Sequence, residues 1–121
     1  MGKVSSTMQV QINTDRNITG DEELAAKVET TVTNILERFT DRITRLEVHL
    51  GDENSHKSGA DDKRCMIEAR LKRLQPVAAS HQAATIDLAV TGAAEKLKRA
   101  IDSIVGRLGE KRKTIAIKEP E

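Results

Sequence analysis

The chain has 121 residues, 37% hydrophobic and 32% charged, and its 20 Lys and Arg against 19 Asp and Glu give a net charge of +1. That length supports one core rather than two, and with Phe39 as the single aromatic residue it has no exposed Phe or Tyr platforms for the base stacking of a standard RNP-type RNA reader. Cys65 is the single cysteine, which excludes an intramolecular disulfide and a cysteine metal cluster; no apolar run reaches the roughly 20 residues of a membrane span, and MGKVSST is not a secretory signal, so a cytoplasmic protein is expected.

Residues 1–7 read as a frayed start. In MQVQIN, Met8, Val10 and Ile12 alternate with Gln9, Gln11 and Asn13, the period of a half-buried strand. A helix of about five turns is expected from TGDEELAAKVETTVTNILERF. Thr19 and Glu22 have capping-box spacing there, and Leu24, Val28, Val32, Ile35, Leu36 and Phe39 recur every three or four residues. ITRLEVHL alternates again, with Leu46, Val48 and Leu50 on one side and Arg45, Glu47 and His49 on the other. The polar, glycine-bearing GDENSHKSGADDK reads as a long hairpin loop.

In RCMIEARLK, Cys65, Ile67, Ala69 and Leu71 share the inward face while Arg64, Met66, Glu68, Arg70 and Lys72 look outward. LQPVAASHQA is a weaker fourth strand, and Pro76, which has no ladder donor, marks an edge or a strand start. A last helix from about Thr85 carries Val90, Ala94, Leu97, Ile101, Ile104, Val105 and Leu108 as its buried stripe, with Gly109 as the expected C-cap. Its Gly92 and Gly106 each cost roughly 1 kcal/mol relative to Ala in a helix interior. TIAIKEPE reads as a short extra strand or a loose tail, so one domain spans 8–112 and a tail 113–121. The order β-α-β-β-β-α predicts an α+β, two-layer domain in which both helices cover one face of a mostly antiparallel four-stranded sheet.

Charge is uneven along this pattern. GAAEKLKRAIDSIVGRLGEKRK, residues 92–113, holds seven basic and three acidic residues, leaving 13 basic and 16 acidic for the rest. On a helical wheel Lys96, Arg99 and Arg107 fall together, well away from the apolar stripe, and Lys98 lies on the other flank beside Glu95 and Asp102. The ridge from Lys96 to Arg107 is about 16 Å long, enough to meet two or three phosphates, and Lys111, Arg112 and Lys113 extend it. Two readings stay open for it: cations that offset the helix dipole on a solvated face, or an anion-binding surface. A second concentration, Lys63, Arg64, Arg70, Lys72 and Arg73, adjoins the ridge only under a strand order that the sequence does not reveal.

Enzyme chemistry has no constellation behind it. His49, His56 and His81 lie in separate segments without metal-ligand or triad spacing. DENSHKSGADD lacks EF-hand ligand spacing, and neither GAAEKLK nor GRLGEKRK has the spacing of a phosphate-cradling loop. Cys65 alternates with core residues and reads as a packing thiol. The expectation is a non-enzyme without cofactor, metal or small-molecule substrate.

The element order, with MQVQINTDRNI, RFTDRITRLEVHLGDEN, CMIEARL and DLAVTGAAEKLKRAIDSIVGRL, resembles the ribosome hibernation-promoting factor family, also called ribosomal subunit interface or sigma-54 modulation proteins, over about Met8 to Lys111. The chain is similar to the family's short form. At the start of the last helix, where family members carry Asp, an aliphatic residue and Tyr, it has Asp87, Leu88 and Ala89. The resemblance implies a double-stranded-RNA-binding-like fold that binds the small ribosomal subunit, or the 70S ribosome, in the channel between head and body, covering mRNA and tRNA sites. It also implies 16S rRNA contacts from the last helix, here Lys96, Lys98, Arg99, Arg107 and Lys111. The charge argument adds Arg112 beyond the expected helix end and Arg70 and Lys72 from the third strand. The rival reading is a protein-interaction module that pairs an acidic first helix and a basic last helix with a protein partner or a second copy.

Overall fold

A computed structural model describes residues 8–15, 22–52 and 62–118, with side chains described as far as Leu108. The elements run β1 (Gln9–Thr14), α1 (Glu22–Ile35), a 3-10 turn (Glu37–Phe39), β2 (Ile43–Asp52), β3 (Lys63–Leu71), β4 (Val77–Ala83) and α2 (Ile86–Lys118). They form one mixed four-stranded sheet in the order β1-β2-β3-β4, with β1 parallel to β2 and the other pairs antiparallel. A parallel pair needs a crossover, which α1 supplies, and antiparallel neighbours follow from hairpin connections. The fold is therefore the expected α+β, two-layer arrangement with both helices on one face.

Period-two alternation decides which face is covered. Leu46, Val48 and Leu50 of β2 and Cys65, Ile67, Ala69 and Leu71 of β3 are buried, and they form one core with Val28 and Val32 of α1 and Val90, Leu97 and Ile101 of α2. No polar or charged residue is buried among the described residues, so the core consists of aliphatic side chains, Phe39 and the Cys65 thiol. Asn13, Arg45, Glu47, His49, Met66 and Glu68 stay half-buried, and Gln9, Gln11, Arg64 and Arg70 exposed, on the open face. Each fully buried aliphatic side chain contributes about 1.5–3 kcal/mol, and a one-residue slip in register would turn a whole strand's set out to water.

Two helix ends differ from the sequence expectation. The first helix ends at Ile35 after 14 residues, about four turns, and Leu36 and Phe39 are buried through the 3-10 turn instead. An i, i+3 spacing is common to both helix types, which is why the apolar stripe ran on undisturbed. Thr19 of the expected capping box lies outside the described residues, as does the hairpin loop over 53–61. The last helix spans 33 residues and does not stop at Gly109: it continues through Lys111 and Arg112 to Lys118. A glycine C-cap requires a left-handed residue, and among the described residues no glycine has a positive φ. Residues 114–118 are therefore helical rather than strand or loose tail.

At its start α2 is capped by Thr85, whose hydroxyl accepts a hydrogen bond from the Leu88 amide at 3.1 Å, an N-cap worth about 1 kcal/mol. The helix is seated closely on β4 and β3 by small residues. Ala89, Ala93 and Ala94 are fully buried, and a Cβ added at Gly92 would stand 2.1 Å from Cδ2 and 2.4 Å from Cγ of His81 on β4. Gly106, by contrast, faces open space.

The two helix glycines should consequently behave in opposite ways. Gly92→Ala is expected to lower stability by about 1–3 kcal/mol through overpacking, despite the helix preference of Ala, and His81→Ala should restore most of the loss. Gly106→Ala should raise stability by up to about 1 kcal/mol. Urea denaturation of Gly92→Ala, Gly92→Ala with His81→Ala, and Gly106→Ala checks both signs.

Candidate nucleic-acid interface

Positions of charge on α2 follow from how the helix is laid down. One flank borders α1, and there the acidic residues are engaged: Asp87 pairs with Lys27 at 3.5 Å, and Asp102 with Arg38 at 3.9 Å. The Arg38 guanidinium also stands 5.4 Å from the centroid of the Phe39 ring. Exposed pairs of this kind contribute about 0–1 kcal/mol each. Their larger effect is spatial, since two α2 carboxylates are neutralised by cations from the first-helix layer.

The other flank runs along β4, an edge strand, and carries Lys96, Arg99 and Arg107, all exposed. The Lys96 ammonium donates to the Ser80 carbonyl at 3.1 Å, and the Arg107 guanidinium donates to the Ser103 hydroxyl at 3.2 Å. Lys96 thus satisfies an acceptor on the strand edge while its charge remains at the surface, a placement that also discourages edge-to-edge pairing. Lys98 is half-buried on the flank toward α1. Lys111 and Arg112 continue the helix backbone, and their side chains lie outside the described residues.

The third-strand cations divide. Lys63 is held by Asp62 at 3.2 Å and Asp52 at 3.4 Å, and these contacts, the Asp62 hydrogen bond above all, raise its pKa. Arg70 projects from the open face of the sheet, away from α2, directly across from Arg45. Arg45 is already committed, donating to Glu47 at 2.9 Å and to Gln11. The same Arg45 hydrogen bond holds the Glu47 carboxyl below the usual range. Lys72 lies beyond the strand in the turn that leads to β4, at the end of the sheet. The structure therefore brings Lys96, Arg99 and Arg107 together, sets Arg70 on the opposite face, and puts Lys72 at the sheet end.

That end holds one cation that sequence clustering passed over, Arg42, beside Arg73, which clustering did include. Arg42, between Asp41 and Ile43, precedes β2, and its carbonyl accepts a hydrogen bond from the Lys72 amide at 2.9 Å, pinning two turns together. A cleft of about 480 Å³ opens there, lined by Asp41, Arg42, Lys72, Arg73, Leu74 and Leu108 of α2. Arg73 has a φ of 61°, the single left-handed non-glycine residue among those described. For a residue with a Cβ this costs about 1–2 kcal/mol.

No cluster of three or more His, Cys, Asp or Glu suited to a metal ion occurs among the described residues, and no described helix is long and apolar enough to cross a membrane. Cys65 is fully buried, and burial pushes its thiol up to about 12. A thiol at that value carries no thiolate near neutrality, and the buried packing role fits it.

Comparison with known proteins bears on this arrangement. The family model described as Sigma 54 modulation protein / S30EA ribosomal protein matches residues 10–108. The chain belongs to this family. A ribosomal subunit interface protein from Coxiella burnetii has a solved structure similar to it at a TM-score of 0.66 and 12% identity, covering 82% of this chain and 99% of that one. The Thermus thermophilus Protein Y N-terminal domain is similar at a TM-score of 0.64 and 18% identity, covering 80% and 99%. At these identities the two structures establish a shared S30EA-type fold. No curated protein sequence matches the chain. The match takes in β1 from its second residue, α1, the remaining strands and α2 to Leu108, so the sheet except Gln9, and the ridge from Lys96 to Arg107, fall within the family's extent.

The thiol supplies a pH test. Its pKa is raised in the folded state above the ordinary 9.0, so the native protein holds a proton that the unfolded chain releases. Stability from this source is complete below about pH 9 and is lost as pH rises toward 12. Alkaline unfolding monitored by circular dichroism should show a shallower decline for Cys65→Ala than for the unmodified chain. Aromatic disulfide reagents should titrate the thiol in urea and leave it unreacted at pH 7.5 without denaturant.

Proposed function

We propose that this chain is a ribosome-associated hibernation factor that binds rRNA of the small subunit and silences translation by occupying space needed by mRNA and tRNA. The observation that carries the reading is the S30EA family match across residues 10–108. Support comes also from the likeness in fold to the Coxiella burnetii ribosomal subunit interface protein. The mechanism asks for no bond chemistry. A rigid α+β wedge presents the exposed cations of α2, Lys96, Arg99 and Arg107, to RNA phosphates, and its bulk excludes the competing ligands.

Electrostatics make this workable for a chain of net charge +1. Asp87 and Asp102 face Lys27 and Arg38, so a polyanion approaching along β4 meets the basic flank of the helix with those carboxylates turned away. Further contacts from Lys98, Lys111 and Arg112 follow the same helix, and Arg70 and Lys72 offer contacts off it. Binding would take place in the cytoplasm, where ribosomes are.

Charge reversal tests the reading. The triple variant Lys96→Glu, Arg99→Glu, Arg107→Glu should keep its melting transition, since all three side chains are exposed, and should lose both ribosome pelleting and inhibition of cell-free translation. For the unmodified chain, three phosphate contacts predict a slope of log affinity against log salt near −2, at about −0.7 per contact to single-stranded RNA. Unchanged inhibition by the folded triple variant contradicts the assignment of this surface. Binding that is insensitive to salt and survives nuclease treatment would favour the protein-interaction module.

A further inference from the structure

The cleft at the end of the sheet is a small basic site built from two turns that are distant in sequence. Arg42, Lys72 and Arg73 line it with one carboxylate, Asp41, and the backbone bond from Lys72 to the Arg42 carbonyl fixes the two turns relative to each other. Elsewhere on the described surface several cations are matched: Lys27 with Asp87, Arg38 with Asp102, Arg45 with Glu47, and Lys63 with Asp52 and Asp62. None of the three cleft cations has a carboxylate within ion-pairing distance among the described residues. Arg73, moreover, occupies a left-handed position where glycine would be free of strain. Strained non-glycine residues concentrate at binding sites, where the side chain rather than the backbone accounts for the choice.

From these observations we infer that the cleft formed by Arg42, Lys72 and Arg73 binds a phosphate group of an RNA backbone. Two arginines offer forked donors that match phosphate oxygens, and the lysine adds a point charge. Leu108 forms part of the lining, so the cleft meets α2 one residue beyond Arg107. An RNA strand lying on the ridge would reach it, and in naming RNA as the occupant this inference rests on the proposed function. The distance from Lys96 to Leu108 along the axis is about 18 Å at 1.5 Å per residue, so the cleft extends the footprint by about one phosphate beyond the ridge.

The role of Arg73 separates binding from folding. Arg73→Gly keeps the turn in a conformation that glycine adopts freely, so the melting temperature should be no lower, while binding should weaken. Asp41→Asn removes the single carboxylate of the lining and should tighten binding, an effect opposite in sign to the loss of a cation.

The test is a titration of the full chain, with isotopic labels on backbone amides, by a 12-nucleotide single-stranded RNA and separately by inorganic phosphate. RNA should move the amide resonances of Arg42, Lys72 and Arg73 in a saturable way, at concentrations where inorganic phosphate leaves them in place. Arg73→Gly should weaken this response several-fold and Asp41→Asn should strengthen it. Absence of RNA-dependent shifts at these amides overturns the inference. Saturation by inorganic phosphate at the same or lower concentration overturns the choice of RNA and leaves a free-anion site.

Ribosome pelleting then tells the two claims apart. If the unmodified chain pellets and the variant Arg42→Gln, Lys72→Gln, Arg73→Gly shows the same salt slope, the cleft inference fails and the proposed function stands. If the chain does not pellet while RNA shifts the cleft amides, the proposed function fails and the cleft stands.

Discussion

The close seating of α2 on β4 and β3 is the constraint from which the rest of the molecule follows. It depends on a patch of small residues, Ala89, Gly92, Ala93 and Ala94, that lets the helix approach until His81 fills the space a Cβ would take at Gly92. With the helix fixed there, Leu97 and Ile101 reach the core, and the helix cannot rotate without exposing them. That fixed rotation places Lys96 against the β4 edge, with Arg99 and Arg107 on the same flank of the helix, and turns Asp87 and Asp102 toward the first-helix layer. A near-neutral chain thereby acquires one basic flank. The family position occupied here by Ala89 belongs to the same patch, and its complete burial makes helix seating the local use of a small residue at this point.

Much of this fold was legible because strands with one covered face must alternate. The inward sets of β2 and β3 could be read residue by residue, and Pro76 announced the edge strand that follows it. Helix ends were less legible. Leu36 and Phe39 keep a three-residue spacing that serves a 3-10 turn as well as an α-helix, and Gly109 resembles a C-cap in sequence while lying inside a continuing helix. Neither ambiguity can be removed by local pattern, because both depend on backbone angles that tertiary packing selects.

The basic ridge was legible on a helical wheel, as was the separation of Lys98 from it. The cleft was not. Arg42 lies in FTDRITR, far in sequence from Lys72 and Arg73, and only the pairing of β2 with β3 brings it beside them. Its left-handed backbone gives Arg73 no sequence signal either, since glycine or asparagine is the usual mark of that conformation. Arg70 shows the converse: clustered with Lys72 and Arg73 in sequence, it stays on the open face of β3, while the strand ends at Leu71 and the chain carries the other two into the turn.

The proposed mechanism and the cleft share one physical claim, that unmatched cations on one side of a rigid domain are used to neutralise ribosomal RNA. Sucrose-gradient sedimentation of the unmodified chain with purified 30S and 70S particles, at low and at raised salt, tests it most directly. The account predicts co-migration with ribosomal particles at low salt that declines steadily as salt rises. Absence from every ribosomal fraction at low salt would contradict it.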